Sequence, residues 1–208
     1  MAGHFEPQGE DIGHMHKRVQ HPQPPSAGPD ETMFRILCPE SKVGGVIGKG
    51  GSIVSQIRQE TGARVTMQET VQGCEERVIV ISTPEDAGNN GGDLGKVSRA
   101  QEALFRVHGR IFEDIVDENN SKNLITSLVV PNGQVGCLLG KGGKIIQQMR
   151  EETKAHIRIL PREMTLPCVL TTDEILQVHY TPLLFSCSNL HVFPSFVQYV
   201  FFIFPLFI

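Results

Sequence analysis

The sequence predicts an α+β protein in which one β-α-α-β-β-α unit occurs twice, the second time without its last helix. Three observations carry this. VGGVIGKGGSIVSQIRQETGARVTM (residues 43–67) lies over VGCLLGKGGKIIQQMREETKAHIRI (residues 135–159) with twelve identities in twenty-five positions and no gap, the mark of a duplicated structural unit. A β-type run ending in Pro precedes each copy, MFRILCP at 33–39 and LITSLVVP at 124–131, and Pro ends a strand or sits at its edge because it has no N–H for the ladder. Helical and alternating apolar periods then follow each glycine cluster in the same order.

In the first repeat the helix after the glycines carries Ile53, Ile57 and the stem of Arg58 at i, i+4, i+5; in the second the same places hold Ile145, Met149 and Arg150. Each helix should run about three turns, and Gly62 is placed to cap the first by taking a left-handed conformation. Two strands follow, Ala63 to Met67 with Val65 and Met67 on one face, and Arg77 to Ser82 with Val78 and Val80 likewise, joined by the polar loop ETVQGCEE. A loop, TPEDAGNNGGDLG, leads to Val97, Ala100, Leu104, Val107 and Ile111, whose 3, 4, 3, 4 spacing marks the buried face of a third helix. The third strand of the second repeat is read at DEILQV, residues 173–178.

These elements divide the chain into a flexible tail (1–31), a first unit (32–116), a polar linker (117–122), a partial second unit (123–178) and an apolar tail (179–208). The first tail mixes His, Gln, Pro and Gly without periodicity and cannot bury enough surface to offset its ordering. Its four histidines (His4, His14, His16, His21) have no scaffold to fix a metal geometry. After Glu174 there is no Lys, Arg, Asp or Glu, and seven of the eleven Phe fall between residues 185 and 207. A third helix is therefore not encoded, and the second repeat is expected to be marginal or unfolded as written. The final residues approach the length of a membrane span, but Pro194, Pro205, Ser195 and Gln198 interrupt them. A translated intron, whose thymine-rich frame yields Phe, Leu, Ile, Val and Ser, is the preferred reading, and a membrane is not expected as a partner.

Composition narrows the function classes. A formal net charge of -4 argues against a uniformly basic nucleic-acid binder. It conceals a split: residues 32–116 hold ten Lys and Arg against eleven Asp and Glu, while residues 122–160 hold six against two. The five cysteines are scattered without a C-x-x-C pair, which encodes neither a disulfide framework nor a cysteine zinc site and suits a reducing compartment. The N-terminus has no apolar run of the kind a secretory signal needs.

The two Gly-Lys-Gly-Gly clusters fail the better-known phosphate motifs. Val43 and Val135 stand where a Walker A loop needs its first glycine, and Gly follows each lysine instead of Ser or Thr. The dinucleotide fingerprint would need glycine at Ile53 and Ile145. What remains is a turn between two short helices, Gly48-Lys49-Gly50-Gly51 and Gly140-Lys141-Gly142-Gly143, where a sugar-phosphate chain can approach the backbone, beside a lysine charge and the free N–H groups of the next helix. Ile47, Val54, Val65 and Met67 would make a narrow apolar groove for unstacked bases, with Arg58 and Arg77 reaching base edges.

At these residues the chain resembles the type I KH domain, a three-stranded antiparallel sheet packed on three helices. The opening F-R-I-L-C-P and the E-E-R-V in the third strand are most similar to plant multi-KH proteins related to the poly(C)-binding and heterogeneous nuclear ribonucleoprotein K group. The resemblance implies binding of about four nucleotides of single-stranded RNA or DNA per domain. It implies nucleic-acid contacts in the first repeat at Gly44, Ile47, Gly48, Lys49, Gly50, Gly51, Val54, Arg58, Val65, Met67 and Arg77. In the second repeat the matching positions are Gly136, Leu139, Gly140, Lys141, Gly142, Gly143, Ile146, Arg150, Ile157 and Ile159. Arg58 and Arg77 look like the cytosine-reading pair of the poly(C)-binding relatives; the second repeat keeps Arg150 but has Glu174 near the other place. The implied role is mRNA processing or post-transcriptional regulation in the nucleus, with the cytoplasm as a second location. The runner-up is a scaffold that docks protein partners or other KH proteins. No enzyme activity, cofactor or metal is expected, because His108 is read on a polar helix face, His156 is an isolated strand residue, and no nucleophile-base pair is formed.

Overall fold

The computed structural model describes residues 31–84, 98–113 and 124–180. The first repeat runs β1 (Glu31–Pro39), α1 (Glu40–Ile47), a 3₁₀ turn at Lys49–Gly51, α2 (Ser52–Thr61), β2 (Arg64–Met67), β3 (Glu76–Pro84) and α3 (Arg99–Phe112). The second runs β4 (Leu124–Pro131), α4 (Asn132–Leu139), a 3₁₀ turn at Lys141–Gly143, α5 (Lys144–Thr153), β5 (His156–Ile159), a 3₁₀ turn at Arg162–Met164 and β6 (Asp173–Tyr180). The expected element order is met in both repeats, with β3 extending through Thr83 and Pro84, residues assigned from sequence to the following loop. Two tail boundaries shift, because Glu31 belongs to β1 and His179 and Tyr180 belong to β6; Val97, the linker, residues 1–30 and 181–208, and with them the expected lack of a third helix in the second repeat, lie outside the described residues.

The six strands form one sheet in the order β2-β3-β1-β4-β6-β5. Within each repeat the pairing is antiparallel, Glu31 to Pro39 running against Pro84 to Glu76 and Leu124 to Pro131 against Tyr180 to Asp173. The repeats meet where β1 and β4 pair, Ile36 opposite Leu128. A two-residue period assigns each strand two faces. On the helix side, Ile36, Val46, Ile57, Val65, Ile79, Ile81, Leu104 and Val107 of the first repeat share a core with Leu128, Leu138, Met149, Ile157, Leu176 and Val178 of the second. Helix α3 presents Ala100, Leu104, Val107 and Ile111 to this core as its spacing predicts, and Ser98 and Gln101 close a reciprocal capping box at its start.

The opposite face is also dry. Leu37, Val78 and Val80 of the first repeat pack with Val129, Cys168, Val169 and Ile175 of the second. Arg35 and Asp173, both buried, form an ion pair across the junction, and Cys74 Sγ lies 3.1 Å from Cys168 Sγ. On the helix side His108 Nε2 lies 2.8 Å from Thr126 Oγ1 of β4. His108 is thus not on a polar helix face: it is 2% exposed, packs on Phe112 with ring centroids 4.6 Å apart, and ties the first repeat's helix to the second repeat's strand. Burial pushes its imidazole down to about 3, so it is neutral.

Residues 124–180 hold the β-α-α-β-β arrangement that the sequence predicts for the second repeat. Its apolar residues find partners in the continuous sheet and in the core shared with the first repeat, so it does not stand alone. Among the described residues no helix is long and apolar enough to cross a membrane.

Candidate nucleic-acid interface

Each candidate loop is built by its glycines. Gly48 (φ 75°, ψ 171°) and Gly140 (φ 69°, ψ 175°) occupy a backbone region closed to other residues. A Cβ on Gly48 would stand 2.6 Å from Ile53 Cγ1, and one on Gly140 2.5 Å from Ile145 Cγ1. The first turn closes with Gly48 N–H donating to Gly44 O (2.8 Å) and Gly51 N–H to Gly48 O (3.1 Å); the second repeats this through Gly140 to Gly136 (2.9 Å) and Gly143 to Gly140 (3.1 Å). Gly50, Gly51, Gly142 and Gly143 all have positive φ. Lys49 and Lys141 are exposed at the apex of each turn.

Gly44 and Gly136 are different. Both are helical and exposed, and a Cβ on either would meet nothing within 4 Å. Glycine inside a helix costs about 1 kcal/mol relative to alanine, and no packing among the described residues compensates for it here. A bare helix surface beside a bare turn leaves the backbone open to close approach from outside.

The arginines close the groove's far wall. Strand β2 is an outer strand of the sheet, so half of its backbone groups lack a ladder partner. Arg58 donates to Val65 O through Nε (3.0 Å) and Nη2 (2.5 Å). Arg150 makes the same fork to Ile157 O of the opposite outer strand β5, at 2.9 and 2.6 Å. Arg77 stands at the end of the groove on the helix side of β3, donating to Glu40 Oε1 at 2.6 Å and to Thr70 Oγ1. Its Nε is buried without a hydrogen-bond partner among the described residues.

Several expected groove residues are corrected. Val65 and Ile157 are 0% exposed and Val54 and Ile146 are 5% exposed, so these four belong to the core under the groove. The strand alternation explains it: Val65 and Ile157 are central on four-residue strands facing the helices. Surface is left to Ile47 and Met67 in the first repeat and to Leu139 and Ile159 in the second. Nor is His156 isolated, since its ring meets that of His179 edge-on with centroids 5.5 Å apart. Burial first, then Arg158 and His156, push the His179 imidazole below its usual range. Among the described residues no group of three His, Cys, Asp or Glu is placed to hold a metal.

Sequence reasoning missed Glu40 and Thr70 as the partners that orient Arg77, and missed Asn132 and Arg162 around Glu174. The signal was an acidic residue in the strand position of Arg77, which asks for a cation from elsewhere, and the PREM stretch after β5 holds one.

Paired strand-helix-turn-helix units joined by a glycine-lysine turn define a class. The KH domain family model matches residues 33–104 and 125–179, and the chain belongs to that family. It is 47% identical over 176 residues to the RNA-binding KH domain-containing protein RCF3 of Arabidopsis thaliana, covering 74% of this chain and 27% of that protein. It is 37% identical over 162 residues to the KH domain-containing protein HEN4 of the same plant, covering 74% of this chain and 18% of that one. The RNA-binding KH domain-containing protein PEPPER, also from Arabidopsis thaliana, is 30% identical over 152 residues, covering 70% and 29%. The chain therefore spans less than a third of the length of these relatives.

Proposed function

We propose that the chain binds single-stranded RNA through its two glycine-lysine turns, each beside one groove, with a preference for C-rich sequence in the first. The observation that carries this is the recurrence of a helical glycine with no internal packing reason, Gly44 and Gly136, beside an exposed lysine turn and an arginine-lined outer strand. The working units are residues 32–116 and 123–178, and single-stranded DNA is a second ligand of the same chemistry. The RNA-binding relatives support the ligand class. An arginine fork favours cytosine, whose O2 and N3 are adjacent acceptors, over uracil, in which an N–H separates the two carbonyls. We place the activity in mRNA processing in the nucleus, with the cytoplasm as a second site.

The grooves lie along β2 and β5, the two outer strands of the sheet. Five strand spacings of about 4.8 Å put those strands roughly 24 Å apart, so an RNA that fills both grooves carries spacer nucleotides between its two contacted segments.

The test is a titration of the full chain with short C-rich, U-rich and A-rich RNAs at two salt concentrations, beside Lys49→Asp with Gly50→Asp and Lys141→Asp with Gly142→Asp. The expected result is tighter C-rich binding that each pair of aspartates weakens and both pairs together abolish. C-rich binding that survives all four aspartates would reject the two turns as the route of RNA binding, and a folded chain that binds none of the RNAs would reject the RNA reading in favour of a protein-docking scaffold.

A further inference from the structure

The second groove has exchanged the charges at its end. Glu174 lies opposite Val130, one residue before Pro131, as Arg77 lies opposite Cys38, one residue before Pro39. Asn132 likewise takes the place of Glu40 at the first position of the next helix. The first repeat therefore has its cation on the strand and its carboxylate on the helix, whereas the second has its carboxylate on the strand.

The missing cation comes from a 3₁₀ turn that the shorter β2–β3 connection of the first repeat lacks. Arg162, in the 3₁₀ turn between β5 and β6, brings Nη2 to 3.7 Å from Glu174 Oε1. With the Asn132 amide oriented to satisfy both neighbours, its nitrogen donates to Glu174 Oε1 at 2.9 Å and its oxygen accepts from Arg162 Nη2 at 2.6 Å. Each groove thus ends in one arginine held by one carboxylate and one further polar side chain: Arg77 by Glu40 and Thr70, Arg162 by Glu174 and Asn132. The Arg162 side chain is 61% exposed against 19% for Arg77.

We infer that Arg162 is the base-reading cation of the second groove, and that this groove prefers a base with two adjacent acceptors, cytosine over uracil. The inference rests on the RNA-binding reading of the same loops. A more exposed arginine retains more rotamer freedom before binding, so its discrimination is weaker than that of Arg77.

The test uses the full chain carrying Lys49→Asp and Gly50→Asp, which confines binding to the second groove, titrated with short C-rich and U-rich RNAs. Adding Arg162→Ala is expected to reduce the C-over-U preference about tenfold, the scale of one lost arginine fork. Arg162→Lys keeps the charge without the planar fork and is expected to retain the salt dependence while losing the preference. Arg162→Ala with Glu174→Arg returns a cation to the strand and is expected to restore it. Urea midpoints of each variant separate lost reading from lost folding. Equal weakening of C-rich and U-rich binding by Arg162→Ala, or no effect, overturns the inference, as does a first-loop variant with no RNA affinity at all. If Lys141→Asp with Gly142→Asp leaves the remaining binding intact, the RNA reading of this loop has failed instead.

Discussion

The two repeats share a turn and differ in what surrounds it. Gly50 and Gly142 have φ of 62° and 65°, and Gly51 and Gly143 have 81° and 75°. Yet the arginine at the groove's end comes from a strand in one repeat and from a connecting turn in the other. A left-handed backbone conformation that favours glycine fixes the turn locally. The cation need only arrive at the right place, and several routes through the fold can deliver it.

The comparison breaks most severely at the junction that joins the repeats. Removing one partner of the buried Arg35–Asp173 pair strands a charge whose surroundings exclude water, a loss of about 3 to 5 kcal/mol. Asp173→Ala is expected to cost that much in urea unfolding. Arg35→Met with Asp173→Leu removes both charges and is expected to recover most of it. Because strands of both repeats share one sheet, the loss should appear in a single transition; two separate transitions would show that the second repeat unfolds independently.

The turn itself offers the next largest effect, and the same result is expected in either copy. Gly48→Ala drives a Cβ against Ile53 while forcing a side chain into the glycine-only region, and Gly140→Ala does so against Ile145. Each should cost about 2 to 4 kcal/mol. Gly44→Ala has open space and a helical backbone, so it should leave stability unchanged or raise it by up to about 1 kcal/mol. Its expected cost falls on RNA affinity alone, and an unchanged affinity would mean that no backbone approaches there.

The third effect tests how the first repeat's last helix serves the second. His108 is neutral when folded because burial pushes its pKa down to about 3. The unfolded chain takes up a proton as the pH falls below about 6.5 and the folded chain does not, so stability is full above that pH and is lost on acidification. Between pH 7 and pH 5 the loss is about 2 kcal/mol. His108→Gln should flatten that part of the stability profile, and an unchanged profile would place the titration elsewhere.

How far the fold was legible follows the same local-versus-distant division. The turns, the helices after them and the third-helix stripe are short-range patterns, and they stand where the sequence puts them. The shared sheet was not legible, although one signal pointed to it: Val78, Ile79, Val80 and Ile81 form an unbroken apolar run, which suits a strand buried on both faces. His108 was misread because the 3, 4, 3, 4 stripe of α3 serves the first repeat, while His108 and Phe112 serve a neighbour that lies later in the chain. Val65 and Ile157 were assigned to the groove because core and groove both need apolar residues, and only packing decides between them.

The smallest effect separates the repeats at a single backbone angle. Helix α2 ends on Gly62 at φ 69°, ψ 5°, and α5 ends on Lys154 at φ 56°, ψ 13°, the only non-glycine with positive φ among the described residues. The preceding threonines make identical caps: Thr61 donates to Ile57 O at 2.7 Å and accepts from Ala63 N at 3.2 Å, and Thr153 does the same with Met149 O at 2.7 Å and Ala155 N at 3.3 Å. Gly62 N–H also donates to Arg58 O at 2.9 Å; with the threonine bonds matched, the steric part of the difference is the cost of a Cβ in the left-handed region, on the order of 1 kcal/mol, less the extra unfolded-state entropy that glycine carries. Lys154→Gly is therefore expected to raise stability by about 0.5 kcal/mol. Gly62→Ala is expected to lower it by a similar amount, because its Cβ would meet only the Arg99 side chain at an ordinary 3.6 Å. Urea midpoints that move in opposite directions for the two substitutions would assign the difference to the backbone; midpoints that fall in both would mean that Lys154 makes a compensating contact that glycine cannot replace.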